Sequence, residues 1–268
     1  MIDGALPYLR CPVCGEPLNR ADRSLRCPRG HGFDIARQGY VNLTAGRSPH
    51  SGDTVEMIAD RETFLAAGHY DFIAAALAGT VRPGDGLVLD AGTGTGHYLA
   101  RVLDALPGTP GLGIDVSKPA LRRAARAHPR AGAALADLWR PLPLRDAAAS
   151  ILINVFAPRN GPEFRRVLHQ DGLLLVVTPA PDHLAELIDA YGLISVDPEK
   201  TARVTESLGP SFREQGTTTL RHSMHLTAAE TRTLIGMTPS ARHLEVQDIE
   251  ASEITATAAV NLTLYGPA

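Results

Sequence analysis

Val88-Leu-Asp90-Ala-Gly92-Thr-Gly94-Thr-Gly96-His-Tyr98 is the stretch whose reading decides the fold. It starts as an apolar run, crosses an acid and three alternating glycines, and ends on residues that begin a helix. A strand that feeds a helix through a glycine-rich turn is the first unit of a doubly wound α/β sheet. Glycines stand there because the backbone must bend sharply and a ligand must come close to it. The spacing Gly92-x-Gly94-x-Gly96 departs from the dinucleotide fingerprint, so the loop alone does not name its ligand.

Its surroundings say more. Gly111-Leu-Gly-Ile-Asp115 places an acid at the end of the next strand, where a carboxylate can accept two ribose hydroxyls. Ala136-Asp137-Leu138 follows the third strand and pairs an acid with an apolar side chain, suited to an adenine amino group and ring face. The loop carries no Lys or Arg, which a phosphate would want. Acids Asp90, Asp115 and Asp137 with no cation fit S-adenosylmethionine, whose sulfonium is positive.

Outward from the loop, apolar runs at 87–90, 112–115, 133–136, 150–154 and 172–177 predict buried strands. Helical stretches are expected at 96–106, 118–128, 162–169 and 182–190, and two more over 54–79 around Gly68-His-Tyr70. Alternation of this kind predicts a mostly parallel sheet with helices on both faces. The interval 191–220 is polar and reads as a loop or lid. Residues 220–226 and 253–265 predict two late strands, with a helix over 227–235 between them. The expectation is a seven-stranded, Rossmann-like sheet of the class I S-adenosylmethionine-dependent methyltransferase type. It occupies residues 81–268, after a linker with helices over 39–80.

Residues 1–38 form a second module. Cys11-Pro-Val-Cys14 is followed by Cys27 and His31, and the 241 residues after Cys27 hold no cysteine. Two thiolates two residues apart, then a thiolate and an imidazole, can close a tetrahedron around zinc. Four protein ligands leave no open position, so such a zinc is structural. The two turns flank a hairpin arm over 17–26, and a segment so small needs metal to hold its shape.

At the end of the fourth strand, Ile153-Asn154-Val-Phe156-Ala-Pro158 lies where doubly wound sheets gather ligand groups. Asn154 or its neighbouring carbonyls could hold a base edge and Phe156 could stack on a ring; the plainer reading is a strand that ends at a proline. Net charge is −3, so the chain as a whole is no polyanion binder. Charge is uneven, however: residues 1–50 hold seven Arg against four acids, and 101–145 hold eight Lys and Arg against three acids. One positive face is compatible with that distribution. No apolar run approaches the roughly 20 residues of a membrane span. The N-terminal residues lack a basic segment followed by an apolar one, which predicts a cytoplasmic protein.

With these residues in place, the chain resembles the guanine-N1 methyltransferases of large-subunit ribosomal RNA, and most of all those that confer tylosin resistance. The resemblance rests on the zinc spacing together with Gly39-Tyr-Val-Asn-Leu43, Phe64-Leu-Ala-Ala-Gly-His-Tyr70, the glycine loop, Gly113-Ile-Asp115-Val-Ser-Lys118, Thr178-Pro-Ala-Pro-Asp-His183-Leu and Met237-Thr-Pro239. It implies a guanine in a hairpin loop of 23S rRNA as acceptor, zinc on Cys11, Cys14, Cys27 and His31, and Tyr70, Tyr98, Leu99 and His183 at the cofactor. It also implies a homodimer. Many relatives carry cysteine where Thr93 stands, a change of little weight where backbone does the binding. Arg20, Arg23, Arg26, Arg29 and Arg37 are the expected phosphate contacts. A side chain or carbonyl near Asn154–Pro158 is the expected acceptor of the guanine N1 proton, with Asp53 and Glu56 as rivals. Two other functions fit the same residues: methyl transfer to a small molecule, and RNA binding by a zinc ribbon beside an inactive methyltransferase domain.

Overall fold

A computed structural model describes residues 2–46, 50, 52–195, 206–242, 249–250 and 252–268. Its main sheet has strands β4 (Val41–Asn42), β5 (Leu87–Ala91), β6 (Gly111–Asp115), β7 (Ala131–Leu135), β8 (Ala149–Val155), β9 (Leu168–Pro179), β10 (Phe212–Leu226) and β11 (Ile254–Pro267). They lie side by side in the order β10-β11-β9-β8-β5-β6-β7-β4. Only β11 runs against its neighbours, pairing antiparallel with both β9 and β10. The seven expected strands are joined by an eighth, β4, which comes from the stretch read as linker and pairs parallel with β7.

The glycine loop is central because β5 is central. Its residues alternate between two apolar layers: Leu87, Leu89 and Ala91 join one, Val88 the other. A strand covered on both faces is apolar on both, which is why the sequence there shows a run and no alternation, with Asp90 the one exception. Helices α2 (Asp71–Thr80) and α3 (His97–Asp104) are preceded by α1 (Val55–Ala66) and followed by α4 (Lys118–Ala127), α5 (Gly161–Val167), α6 (Ala185–Tyr191) and α7 (Ala228–Gly236). Several starts are capped by hydroxyls: Thr54 accepts the Met57 N–H at 3.2 Å and Ser117 the Ala120 N–H at 3.3 Å. Thr227 and Glu230 form a reciprocal capping box on α7.

A three-stranded antiparallel sheet, β1 (Asn19–Ala21), β2 (Ser24–Arg26) and β3 (Gly32–Asp34), builds the N-terminal module. The hairpin is the expected one; β3, on the far side of the second cysteine turn, is new. This module does not stand apart. Leu9, Leu18 and Leu25 pack in the same apolar cluster as Leu87, Leu112 and Leu144 of the main fold. Arg10 N–H donates to the Pro143 carbonyl at 2.9 Å.

The interval expected as a loop is largely strand from Phe212 onward, because β10 is an edge strand whose side chains are mostly exposed. With no buried face it shows no apolar alternation to read. Residues 196–205 of that interval lie outside the described residues. Among those described, no helix is long and apolar enough to cross a membrane.

Candidate cofactor pocket and zinc centre

The carboxyl ends of β5, β6, β7, β8 and β9 open on one cavity of about 900 Å³. Its floor is the glycine loop. Gly92 has φ +86°, and a Cβ there would sit 2.3 Å from the Cβ of Ala157, so only glycine lets the loop after β5 pass beneath the loop after β8. Gly96 opens α3 at φ +81°, where a Cβ would meet the backbone of Ala124 at 3.0 Å.

The acids are held in different ways. Asp115 accepts the N–H of Gly94 at 2.9 Å and of Ser117 at 2.8 Å, while burial pushes its carboxyl up. Asp137 accepts the Trp139 N–H at 3.0 Å, and its other oxygen is 2.8 Å from Nδ1 of His50. Both line the cavity. Asp90 does not: it is buried beneath the loop, takes a 2.6 Å hydrogen bond from the Thr93 hydroxyl, and burial pushes its carboxyl up to about 7. Its place is to shape the turn.

Tyr70, Gly92, Gly94, Tyr98 and His183 are cavity walls as well. Tyr70 and Tyr98 are both deep enough that burial raises their phenols. The Ala259 N–H donates to His183 Nδ1 at 3.2 Å, so the neutral ring keeps its proton on Nε2, which is 3.4 Å from the Tyr70 hydroxyl. Leu99 is not a wall: its side chain is fully buried in the apolar layer under α3.

At the end of β8 the two tentative catalytic residues part. Phe156 stands at the cavity, 40% exposed, on a backbone with φ +51° that a bulky residue seldom adopts. Its ring centroid is 5.9 Å from His183 and 6.3 Å from Tyr70. Asn154 is fully buried and is not among the residues that line the cavity. Its Nδ2 donates to the carbonyls of Ala91 at 2.9 Å and Pro158 at 3.0 Å, tying β5 to the loop that carries Phe156. A direct hold on a substrate base is therefore not where the structure places Asn154. The proton-acceptor rivals separate too. Asp53 lines the cavity but binds Arg61 at 2.6 Å, and Glu56 is an exposed residue on the first turn of α1.

In the N-terminal module the ligand atoms of Cys11, Cys14, Cys27 and His31 all lie within 4.8 Å of one another. Cys14 and Cys27 sulfurs are 3.7 Å apart, and His31 Nδ1 is 3.6 Å from Cys11 and 3.3 Å from Cys27. A tetrahedron with zinc–sulfur bonds of ~2.3 Å and a zinc–nitrogen bond of ~2.0 Å has edges of about 3.5–3.8 Å, close to these three distances, so the four residues fit zinc. Burial alone would raise the Cys27 thiol. Hydrogen bonds from the His31 backbone and ring outweigh it and bring the thiol down to about 6, toward the thiolate a metal needs.

Residues 9–50 match the family model described as RlmA, N-terminal, a zinc ribbon. Across 98% of both chains the sequence is 59% identical to a protein of Micromonospora griseorubida assigned as a 23S rRNA (guanine-N1)-methyltransferase. It is 50% identical to the 23S rRNA (guanine(748)-N1)-methyltransferase of Streptomyces fradiae, over 90% of this chain and 88% of that one. The chain belongs to the 23S rRNA (guanine-N1)-methyltransferases. A solved S-adenosylmethionine-dependent methyltransferase from Anabaena variabilis superposes with a TM-score of 0.50, at 13% identity over 84% of this chain and all of the other, which speaks to the fold.

The methyltransferase pocket also has walls that the sequence did not announce: His50, Met57, Arg61, Trp139 and Ile194. They come from elements far from the glycine loop, and only the tertiary fold brings them there. Trp139, the chain's single tryptophan, is 55% exposed at the cavity. Its position directly after Asp137-Leu138 was the one available signal. Of the five arginines expected on RNA, all are exposed; Arg20 is 3.0 Å from Asp3 and Arg29 is 3.7 Å from Glu16.

Proposed function

We propose that the protein methylates N1 of a guanine in a hairpin loop of 23S rRNA, next to the macrolide site of the exit tunnel, and thereby protects ribosomes from tylosin-type macrolides. The observation that carries this reading is 50% identity, over nine-tenths of the chain, to a relative named for N1 of guanine 748. The geometry supports it in three places. The cavity is wide enough for a nucleoside-sized donor and has an aromatic ring, Phe156, at its open side. The acids Asp115 and Asp137 stand where ribose and adenine groups need acceptors. The zinc module presents Arg23, Arg26 and Arg37 to solvent.

S-adenosylmethionine, when bound, supplies an activated methyl on a sulfonium leaving group. What the chain's own residues do is position and exclude. The glycine loop and β8 loop fix the donor pocket, and Phe156 offers a face on which an extruded guanine can stack. The ring neighbours of Phe156 are Tyr70 and His183, and neither is a carboxylate. His183 already has its Nδ1 occupied by the Ala259 N–H. The N1 proton therefore passes to solvent at the open side. Alignment of nucleophile and methyl supplies most of the rate. The protein works in the cytoplasm, where its substrate is, and the homodimer is carried over from the family resemblance alone.

The test offers labelled S-adenosylmethionine with naked 23S rRNA, with assembled large subunits and with small metabolites. Label in the rRNA and a primer-extension stop at one loop guanine are expected. Label confined to a small molecule, or none at all, overturns the reading.

A further inference from the structure

Among the described residues, the cavity walls include three carboxylates, Asp53, Asp115 and Asp137, but a single Lys or Arg, Arg61 of α1. An S-adenosylmethionine molecule is positive at its sulfonium and its amino group, yet it also carries a carboxylate. That carboxylate needs a counter-charge in a pocket otherwise built for cations.

The glycine loop, the usual source of anion-binding N–H groups, is already partly committed. Gly92 and Thr93 N–H both donate to the Ile114 carbonyl, Gly94 N–H to Asp115, and Gly96 N–H to the Thr93 carbonyl. A positively charged side chain is the stronger partner for a carboxylate. Arg61 reaches the loop: a Cβ on Gly94 would stand 3.5 Å from its Nη1. The guanidinium is fixed from both sides, with Nη1 donating to Asp53 at 2.6 Å and Nη2 to the Met237 carbonyl at 3.0 Å. Those two bonds use two of its five N–H groups and leave a forked donor edge, the geometry that suits a carboxylate.

We propose that Arg61 binds the amino-acid carboxylate of the methyl donor, and that Asp53 and the Met237 carbonyl are the positioning groups that aim it. The proposal rests on the S-adenosylmethionine reading of this cavity and assigns its amino-acid end. It also explains why α1 and the segment after α7, remote in sequence, meet over the glycine loop: both converge on one guanidinium.

The experiment is titration calorimetry on the full chain with S-adenosylmethionine and with its decarboxylated analogue, which keeps the adenosine, sulfonium and amine. Wild type is expected to prefer the intact donor by about 10- to 100-fold, the range of a charge-assisted hydrogen-bonded pair. Arg61→Gln should bind the decarboxylated analogue as wild type does and lose the preference. Arg61→Lys should keep part of it, and Asp53→Asn should weaken only the intact donor. An undiminished preference in Arg61→Gln overturns the assignment. So does an equal loss for both ligands, which would mark Arg61 as scaffold. Failure of wild type to bind either ligand would instead sink the cofactor reading beneath it.

Discussion

Asn154 holds the Pro158 carbonyl at 3.0 Å from inside the sheet, and the same amide nitrogen holds Ala91 at the head of the glycine loop. One buried side chain thus joins the two loops that form the floor and one wall of the pocket. Replacing it with Leu takes this donor from the buried Ala91 carbonyl, at a cost of about 1–3 kcal/mol, and from the less buried Pro158 carbonyl. Asn154→Leu should lower the melting temperature by several degrees and weaken donor binding with no change in RNA affinity. A variant as stable and as active as wild type would show that the bridge is dispensable.

Phe156 combines exposure with a left-handed backbone, so its function and its stability should separate. Base stacking on an aromatic ring contributes about 1–3 kcal/mol, so Phe156→Ala should lower kcat/KM for RNA by roughly 5- to 150-fold. S-adenosylmethionine affinity should stay within about twofold, as the ring faces the open side. Phe156→Gly should be equally inactive yet no less stable than the Ala variant, because glycine relieves the positive φ. Full activity in either variant would remove Phe156 from the mechanism.

The arginines of the zinc module should act through salt. Neutralising Arg23 and Arg26 together removes two phosphate contacts, and the slope of log K against log salt should shrink by about 1.4. Donor binding should not change. If the salt slope is untouched, the RNA lies on another face.

Asp90 makes the fold sensitive to pH in a definite direction. Burial lifts its carboxyl to about 7, while in the unfolded chain it titrates near 4. Between those values the native state binds more protons than the unfolded one, so stability falls as pH rises from about 4 to about 7 and stays lowered above. Asp90→Asn keeps an acceptor for the Thr93 hydroxyl and cannot ionise. It should flatten this stretch of the melting-temperature profile and gain on the order of 2–4 kcal/mol at pH 8. An unchanged profile would show that Asp90 is not the group responsible.

Removing the metal should loosen the N-terminal module first. Cys14→Ser, or exposure to a strong chelator, should release one zinc per chain and speed proteolysis near β1–β3, while β5 to β11 retain their melting transition. RNA binding should fall and donor binding persist. Retention of RNA affinity without zinc would detach the module from recognition.

The sequence made legible whatever is encoded locally. The apolar run into Asp90-Ala-Gly92, the acids that follow two later strands and the Cys-x-x-Cys pair each carry their reason in adjacent residues. The pieces that were not legible depend on distant partners. Strand β4 is two residues long and owes its state to β7. The first half of β10 is polar at an exposed edge, so no pattern betrays it. Arg61 looks like an ordinary helix-surface cation until Asp53, Gly94 and Met237 close around it. Asn154 shows the converse: its place at a strand end suggested contact with substrate, and only its burial reveals that it serves the loops.

Val41 and Asn42 extend the catalytic sheet along the outer margin of β7, and the chain reaches them directly from the metal-bearing head. The consequence is metric. Backbone hydrogen bonds, along with the apolar cluster shared across the junction, fix the span from the metal-bearing head to the cofactor pocket, as the jaws of a caliper are locked by its screw. If the head grips the stem as proposed, the nucleotide is chosen by its distance from that grip, and lengthening the loop of the RNA by one residue should shift the mark to the neighbouring base.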